Sequence, residues 1–72
     1  MNPWEDLANA VVLRAVEDYR LALLGENIDR DTPVKVTVRE CEKFFRSEYF
    51  SILTNLDGEA IIEKIKGDVY GS

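Results

Sequence analysis

The chain has 72 residues, of which 46% are hydrophobic and 32% are charged, and its formal net charge is −5. This length allows one domain, and the composition is typical of a globular chain and not of a disordered one. One cysteine and no histidine exclude an internal disulfide and a metal site of Cys and His, and the net acidity disfavours binding to phosphate backbones.

The first predicted element is a helix over residues 4–24. Asn2 is a candidate cap, Pro3 would occupy the first helical position, and Gly25 is a suitable stop. At about 100° per residue, the apolar side chains of this helix share one face. They are Trp4, Ala8, Val11, Val12, Ala15, Tyr19, Ala22 and Leu23.

Three alanines, Ala8, Ala15 and Ala22, recur along this face at heptad spacing. Small side chains on one seam allow a second helix to approach closely. The favoured interpretation is a contact within the chain, and the alternative is a homodimer seam.

Residues 25–37 are predicted to form a long loop. Val34, Val36 and Val38 alternate as in a strand, and Pro33 keeps its predecessor extended. We therefore predict that residues 34–36 are extended. Whether they form a strand stays open, since the only candidate to pair with them is the short tail 68–70.

The next predicted helical region covers residues 38–54. Thr37 and Glu40 have the spacing of a capping box with Thr37 as the cap. Val36 and Cys41 then have the spacing of a hydrophobic staple. Both patterns predict that this helix starts at Val38.

Four aromatic residues, Phe44, Phe45, Tyr49 and Phe50, cannot all face one core from one straight helix. Phe50 would point about 140° away from Phe45. A break near Ser47, which is a competent helix cap, would turn Phe50 inward, and we favour it. In the alternative, the helix continues and Phe50 is exposed as an anchor for a partner. Phe50 and Phe44 are therefore the candidate partner-binding residues.

A last helix is predicted over residues 57–67, with Asp57 as its cap and Gly67 as its stop. The whole chain, 1–72, is thus predicted to be one all-α domain. It is a small bundle of one long N-terminal helix packed antiparallel on two or three short helices. The predicted core is Trp4, Val11, Ala15, Tyr19, Val38, Cys41, Phe45, Ile52, Leu53, Ile61, Ile62 and Ile65.

The sequence shows no catalytic or metal-binding pattern. Cys41 has no histidine to activate it and lies on an apolar face, so a structural thiol is predicted. The segment 55–59 suggests a calcium loop, but Leu53 and Lys64 would then occupy ligand positions, which excludes it. We expect no enzymatic activity, no cofactor and no bound metal.

Two segments resemble a known group of proteins. At Phe44–Tyr49 (FFRSEY) and Leu53–Glu59 (LTNLDGE), the chain resembles short, uncharacterised proteins encoded in prophages and mobile elements of Gram-positive bacteria, clostridia especially. Leu7–Val12 (LANAVV) and Asp18–Arg20 (DYR) are similar to their N-terminal portion. The resemblance implies a phage or mobile-element origin, and it implies no activity and no functional residue.

We expect a small interaction module that binds an unknown protein partner in the cytoplasm, because no signal peptide and no apolar run of about 20 residues is present. A homodimer is a further candidate assembly. Within this class, the acidic first half of the chain could occupy a nucleic-acid groove on a target protein. The alternative is a DNA-associated regulator with a helix-turn-helix-like arrangement. Its bases Arg39, Lys43 and Arg46 are interleaved with acids, however, which indicates a solvated helix face.

Overall fold

The computed structural model describes residues 3–27 and 30–71, and within them the chain forms four helices. Helix α1 spans Pro3–Leu23, α2 spans Val34–Phe45, α3 spans Glu48–Leu53 and α4 spans Gly58–Tyr70. No strand occurs in this described part of the chain, so the predicted all-α class is confirmed.

Helix α1 is the element on which the others pack, since it contacts α2, α3 and α4. Its 21 residues make it about 31 Å long. Leu23 near its end lies beside Val34 and Val38 at the start of α2. Val11, further back, lies beside Phe44 near the end of α2. The two helices are therefore antiparallel, as predicted.

The predicted stop of α1 at Gly25 is confirmed. Gly25 has a φ of 89°. Its N–H donates to the carbonyl of Ala22 at 3.0 Å, and the N–H of Glu26 donates to that of Leu21 at 3.0 Å. This is the Schellman arrangement, which needs a left-handed residue that glycine supplies without strain. The predicted cap Asn2 lies outside the described residues.

The predicted start of the second helix is wrong. Helix α2 begins at Val34, and the N–H groups of Val36 and Thr37 both donate to the carbonyl of Pro33, at 2.9 and 3.2 Å. Thr37 is therefore inside the helix and is not its cap, and the cap position is held by Pro33, whose side chain makes no capping hydrogen bond. The physical reason is that Val34 and Val38, four residues apart, also share one face of a helix, and burial of that face prevails over the strand-like alternation.

The predicted break is confirmed at Ser47. The Ser47 hydroxyl oxygen accepts a hydrogen bond from the N–H of Phe50 at 3.2 Å, and the hydroxyl donates to the carbonyl of Phe44 at 2.7 Å. One side chain thus satisfies a backbone group at the end of α2 and another at the start of α3. The chain turns here, and Phe50 is buried, with 2% of its surface exposed.

The turn assembles a cluster of aromatic rings at the centre of the molecule. Phe45 lies 5.8 Å from Tyr19 and 5.5 Å from Phe50, measured between ring centroids. Phe44 lies 5.6 Å from both Phe45 and Phe50. The interplanar angles of 59–83° are tilted or edge-to-face, which aromatic pairs favour electrostatically.

Helix α4 starts as predicted and ends later than predicted. The Asp57 side chain accepts a hydrogen bond from the N–H of Glu59 at 3.0 Å, which confirms it as the cap. The helix continues through Gly67 to Tyr70, and Gly71, with a φ of 72°, forms its C-terminal cap. Val69 packs against the core. That contact offsets the loss of about 1 kcal/mol that a glycine inside a helix entails.

Helix α4 also approaches the end of α2 very closely. Gly58 is buried, and a Cβ atom placed on it would lie 1.9 Å from the carbonyl oxygen of Phe45. Only a residue without a side chain allows this contact.

The core differs from the predicted one at its ends. Trp4 and Ile52, predicted to be buried, are exposed, because the short neighbouring elements do not cover them. Of the predicted set, Tyr19, Phe45, Leu53, Ile62 and Ile65 are buried, whereas Val11, Ala15, Val38, Cys41 and Ile61 are partly buried at the edge of the core. Ala8, Val12, Ala22 and Phe50 are also buried.

Two members of the alanine seam, Ala8 and Ala22, are buried by the chain itself, with 2% and 1% of their surface exposed. The third, Ala15, is partly buried against the core. At Ala8 and Ala22 the seam is therefore a contact within the chain, which was the favoured interpretation.

A polar network joins three helices at the rim of the core. The Tyr19 hydroxyl donates to a Glu42 carboxylate oxygen at 2.6 Å, and Nζ of Lys66 lies 3.5 Å from the same oxygen. Arg46 lies 3.7 Å from Glu42 and also pairs with Glu59. The hydrogen bond from Tyr19, assisted by Lys66 and Arg46, holds the pKa of Glu42 below its usual value. Burial, followed by the interaction with Glu42, raises the pKa of Tyr19.

Phe50→Ala is expected to lower the free energy of unfolding by about 3–5 kcal/mol, as truncation of a buried aromatic does. Tyr49→Ala is the matched control, because Tyr49 is the neighbouring aromatic and is 54% exposed. It should lose about 1 kcal/mol or less. Urea unfolding of both variants measures the difference, and equal losses would contradict the inward turn at Ser47.

Gly58→Ala is expected to lower the free energy of unfolding by about 1–3 kcal/mol, because the added methyl group forces α4 away from the Phe45 backbone. The exposed Ala60 provides the control. Ala60→Gly reports the helix-propensity difference alone, about 0.5–1 kcal/mol. Thermal unfolding measures both, and an unchanged or more stable Gly58→Ala protein would contradict the close contact.

Acid should weaken the fold in part through Glu42. Since its folded pKa is lowered from 4.5, its stabilisation is present above about pH 4.5 and is lost as the pH falls through the lower folded value. The unfolding free energy should therefore decline less steeply below this pH in Glu42→Gln than in the parent. Glu59, whose pKa is lowered by Arg46, contributes to the pH dependence of the unfolding free energy in both the parent and Glu42→Gln. Parallel curves would contradict the network.

Candidate partner-binding surface

Four large apolar residues lie on or beside α3, and together we call them the α3 surface. Phe44 and Tyr49 are in ring contact, and Trp4 and Ile52 line one depression. Trp4 is 50% exposed, Tyr49 54% and Ile52 69%, while Phe44 is partly buried. Large apolar side chains exposed side by side, and not singly, are typical of interaction sites.

The break at Ser47 places Tyr49 and Ile52 on the outward face of α3. Because α3 starts at Glu48, Phe50 and Leu53 face the core. Tyr49 and Ile52 are also three residues apart and therefore share a second, outward face of the same helix. The turn that buries Phe50 is thus the turn that exposes Tyr49 and Ile52.

Phe44 connects the α3 surface to the core. Its ring contacts the buried rings of Phe45 and Phe50 and lies 6.2 Å from the ring of Tyr49 in an edge-to-face arrangement. Phe44 is held by three ring contacts, so it offers a rigid apolar edge. A rigid aromatic loses little conformational entropy on binding, which favours affinity.

Trp4 and Ile52 line one open depression of about 330 Å³ between the start of α1 and the end of α3. Asn9 and Asn55 add amide groups to its wall. The depression therefore combines a mainly polar wall with the apolar side chains of Trp4 and Ile52, a composition typical of the polar rim of a protein-binding patch.

A shallow apolar groove continues from Phe44 between α1 and α2. It has a volume of about 260 Å³, and Val11, Ala15 and Cys41 line it with Phe44. Burial, assisted by nearby carboxylates of which Asp18 is the foremost, raises the pKa of the Cys41 thiol to about 11. The thiol is therefore protonated at neutral pH and is a poor nucleophile, in keeping with its predicted structural role.

The charged residues around the α3 surface and this groove are mainly acidic. Glu5 lines the depression, Asp18 and Glu40 line the groove, and Glu48 is exposed in the first turn of α3. The base among the groove residues, Arg14, lies 3.8 Å from Asp18 and is partly neutralised by it. The rim therefore carries a negative potential.

The two predicted partner-binding residues have different positions. Phe44 contributes to the surface, so its role as a contact residue stays a prediction. Phe50 lies in the core and cannot anchor a partner, because the turn at Ser47 directs its ring inward. Sequence reasoning missed Trp4, Tyr49 and Ile52 as surface residues. The exposure of Tyr49 and Ile52 could have been predicted from the break at Ser47. If the break turns Phe50 toward the core, the residues on the opposite face of the same short helix must face outward.

The bases considered for DNA binding do not form a uniform patch. Arg46 is paired with Glu59 and Glu42. Arg39 lines a different groove, at the start of α2. Paired and dispersed cations give little of the counterion release that dominates DNA affinity.

In residues 3–27 and 30–71, no group of three or more Cys, Asp or Glu side chains is arranged to hold a metal ion. None of the helices in this part of the chain combines the length and apolar character needed to cross a membrane. Comparisons with protein-family models, with curated proteins and with solved structures gave no match to this chain.

Proposed function

We propose that this chain is a small protein-interaction module that binds a protein partner through the α3 surface and performs no catalysis. The observation that supports it most is the exposure of Trp4, Tyr49 and Ile52 around the rigid ring of Phe44. Trp and Tyr are enriched among the residues that dominate binding energy at interfaces.

The acidic rim indicates the chemistry of the partner. Glu5, Asp18, Glu40 and Glu48 border the surface and its groove, and the chain has a net charge of −5. A partner with apolar side chains flanked by Lys and Arg would complement both the apolar centre and the rim. A basic amphipathic helix is the proposed form, because the groove between α1 and α2 can accept its apolar face.

We further propose that the module acts in the cytoplasm of a bacterium and originates from a phage or mobile element. The origin is supported by the resemblance at Phe44–Tyr49 and Leu53–Glu59. The compartment is supported by Cys41, a free thiol, which suits a reducing environment.

The test is a pull-down from bacterial lysate with three baits: the parent chain, Ile52→Asp and Leu13→Asp. Ile52 and Leu13 are 69% and 66% exposed, so both substitutions should leave the melting temperature close to that of the parent. Leu13 lies outside the α3 surface and controls for an added surface carboxylate. We expect a protein that the parent and Leu13→Asp retain and that Ile52→Asp loses. Raised salt should weaken its binding only modestly, because salt screens the charges of the rim and leaves the apolar contacts in place.

Three results would contradict this proposal. Equal capture by all three baits would place the contact elsewhere. Capture of nucleic acid that weakens steeply with salt would favour the alternative of a DNA-associated regulator. Sedimentation of the parent as a dimer, with Ile52→Asp as an 8.2 kDa monomer, would identify the partner as a second copy.

A further inference from the structure

A second open groove lies at the other end of α1, and we call it the α2 groove. It has a volume of about 520 Å³ and lies between the end of α1, the first half of α2 and the last turn of α4. The end of α1 at Leu23 is about 28 Å along the helix from Trp4 in the α3 surface. Trp4 and the α2 groove therefore lie at opposite ends of α1.

The α2 groove carries two bases that form no ion pair with another described residue. Lys35 and Arg39, four residues apart on α2, line it and are exposed. Within the described residues, the cations in ion pairs are Arg14, Arg46 and Lys66. Lys35 and Arg39 are not among them. Two unpaired bases in one groove contrast with the net charge of −5 of the whole chain.

Glu42 also lines this groove, but its carboxylate does not neutralise Lys35 and Arg39. Glu42 accepts a hydrogen bond from Tyr19 and lies within 3.7 Å of both Lys66 and Arg46. Its negative charge is therefore already shared between two other cations. Lys35 and Arg39 therefore remain available in this groove to pair with an anion.

The rest of the groove is apolar. Leu23, Val34 and Val38 are partly buried and form its floor. Tyr70 stands at its edge and is 66% exposed. It reaches this position because α4 continues beyond Gly67. An apolar floor beside paired bases suits a ligand that combines an apolar side chain with a carboxylate.

We propose that the α2 groove binds an acidic peptide segment. One carboxylate would lie between Lys35 and Arg39, and an adjacent apolar side chain would lie on the floor. A peptide is the favoured occupant because the groove is open along one side, whereas small-molecule sites enclose most of their ligand. The inference is independent of the α3 surface, whose acidic rim favours a basic partner.

The test is a titration of the isotope-labelled protein with the peptide acetyl-Leu-Glu-Leu-Glu-amide, followed by NMR at low salt. The amide signals of residues 34–39 and of Tyr70 should shift, and the matched peptide with Gln in place of Glu should shift them much less. Lys35→Glu and Arg39→Glu should each weaken binding roughly two- to fivefold. Lys64→Glu is the control, because Lys64 is exposed on α4 outside the groove and its substitution changes the net charge equally.

Several outcomes would overturn the proposal. Equal binding of the Gln peptide would show that the groove does not recognise charge, and equal weakening by Lys64→Glu would show that only net charge matters. The same shifts with inorganic phosphate alone would indicate a site for simple anions. The same shifts on concentrating the protein without peptide would identify the occupant as a second copy. Shifts confined to the α3 surface would place the peptide there.

Discussion

The turn at Ser47 is the constraint from which most of the architecture follows. Four aromatic residues in a stretch of seven cannot reach one core from a single straight helix. Ser47 resolves this by bonding both to the carbonyl of Phe44 and to the N–H of Phe50. The reoriented helix α3 brings Phe50 against Phe45, 5.5 Å away, and completes the aromatic cluster. A small domain with one cysteine, and therefore without an internal disulfide, needs this kind of dense packing.

The same turn connects the fold to the proposed function. A helix of six residues has one inner face and one outer face, so burial of Phe50 and Leu53 requires exposure of Tyr49 and Ile52. Helix α1 is longer than the elements that cover it, and its two ends border surfaces of different charge. Glu5 lines the depression near its start, whereas Lys35 lies with a second base in the α2 groove near its end. The net charge of the chain, −5, does not reveal this separation of acidic and basic residues.

Features that depend on a few neighbouring residues, such as helix caps and breaks, could be predicted from the sequence. Which side chains another helix covers could not. The break at Ser47 was predictable because the cap and the conflict between aromatic positions both lie within a few residues. The start of α2 was not, since Val34 and Val38 satisfy both a strand-like alternation and a helical spacing, and burial against α1 decides between them. Periodicity placed Trp4 and Ile52 on inward stripes, but it does not report whether another element extends far enough to cover them.

The most direct test of this account is the environment of the Phe50 ring in solution. We expect nuclear Overhauser contacts between the rings of Phe50 and Phe45, and strong protection of Phe50 from a soluble paramagnetic agent that broadens the signals of Tyr49 and Ile52. Uninterrupted helical contacts through Ser47, with a Phe50 ring broadened as strongly as that of Tyr49, would contradict the turn. The core and the α3 surface as described would then both be wrong.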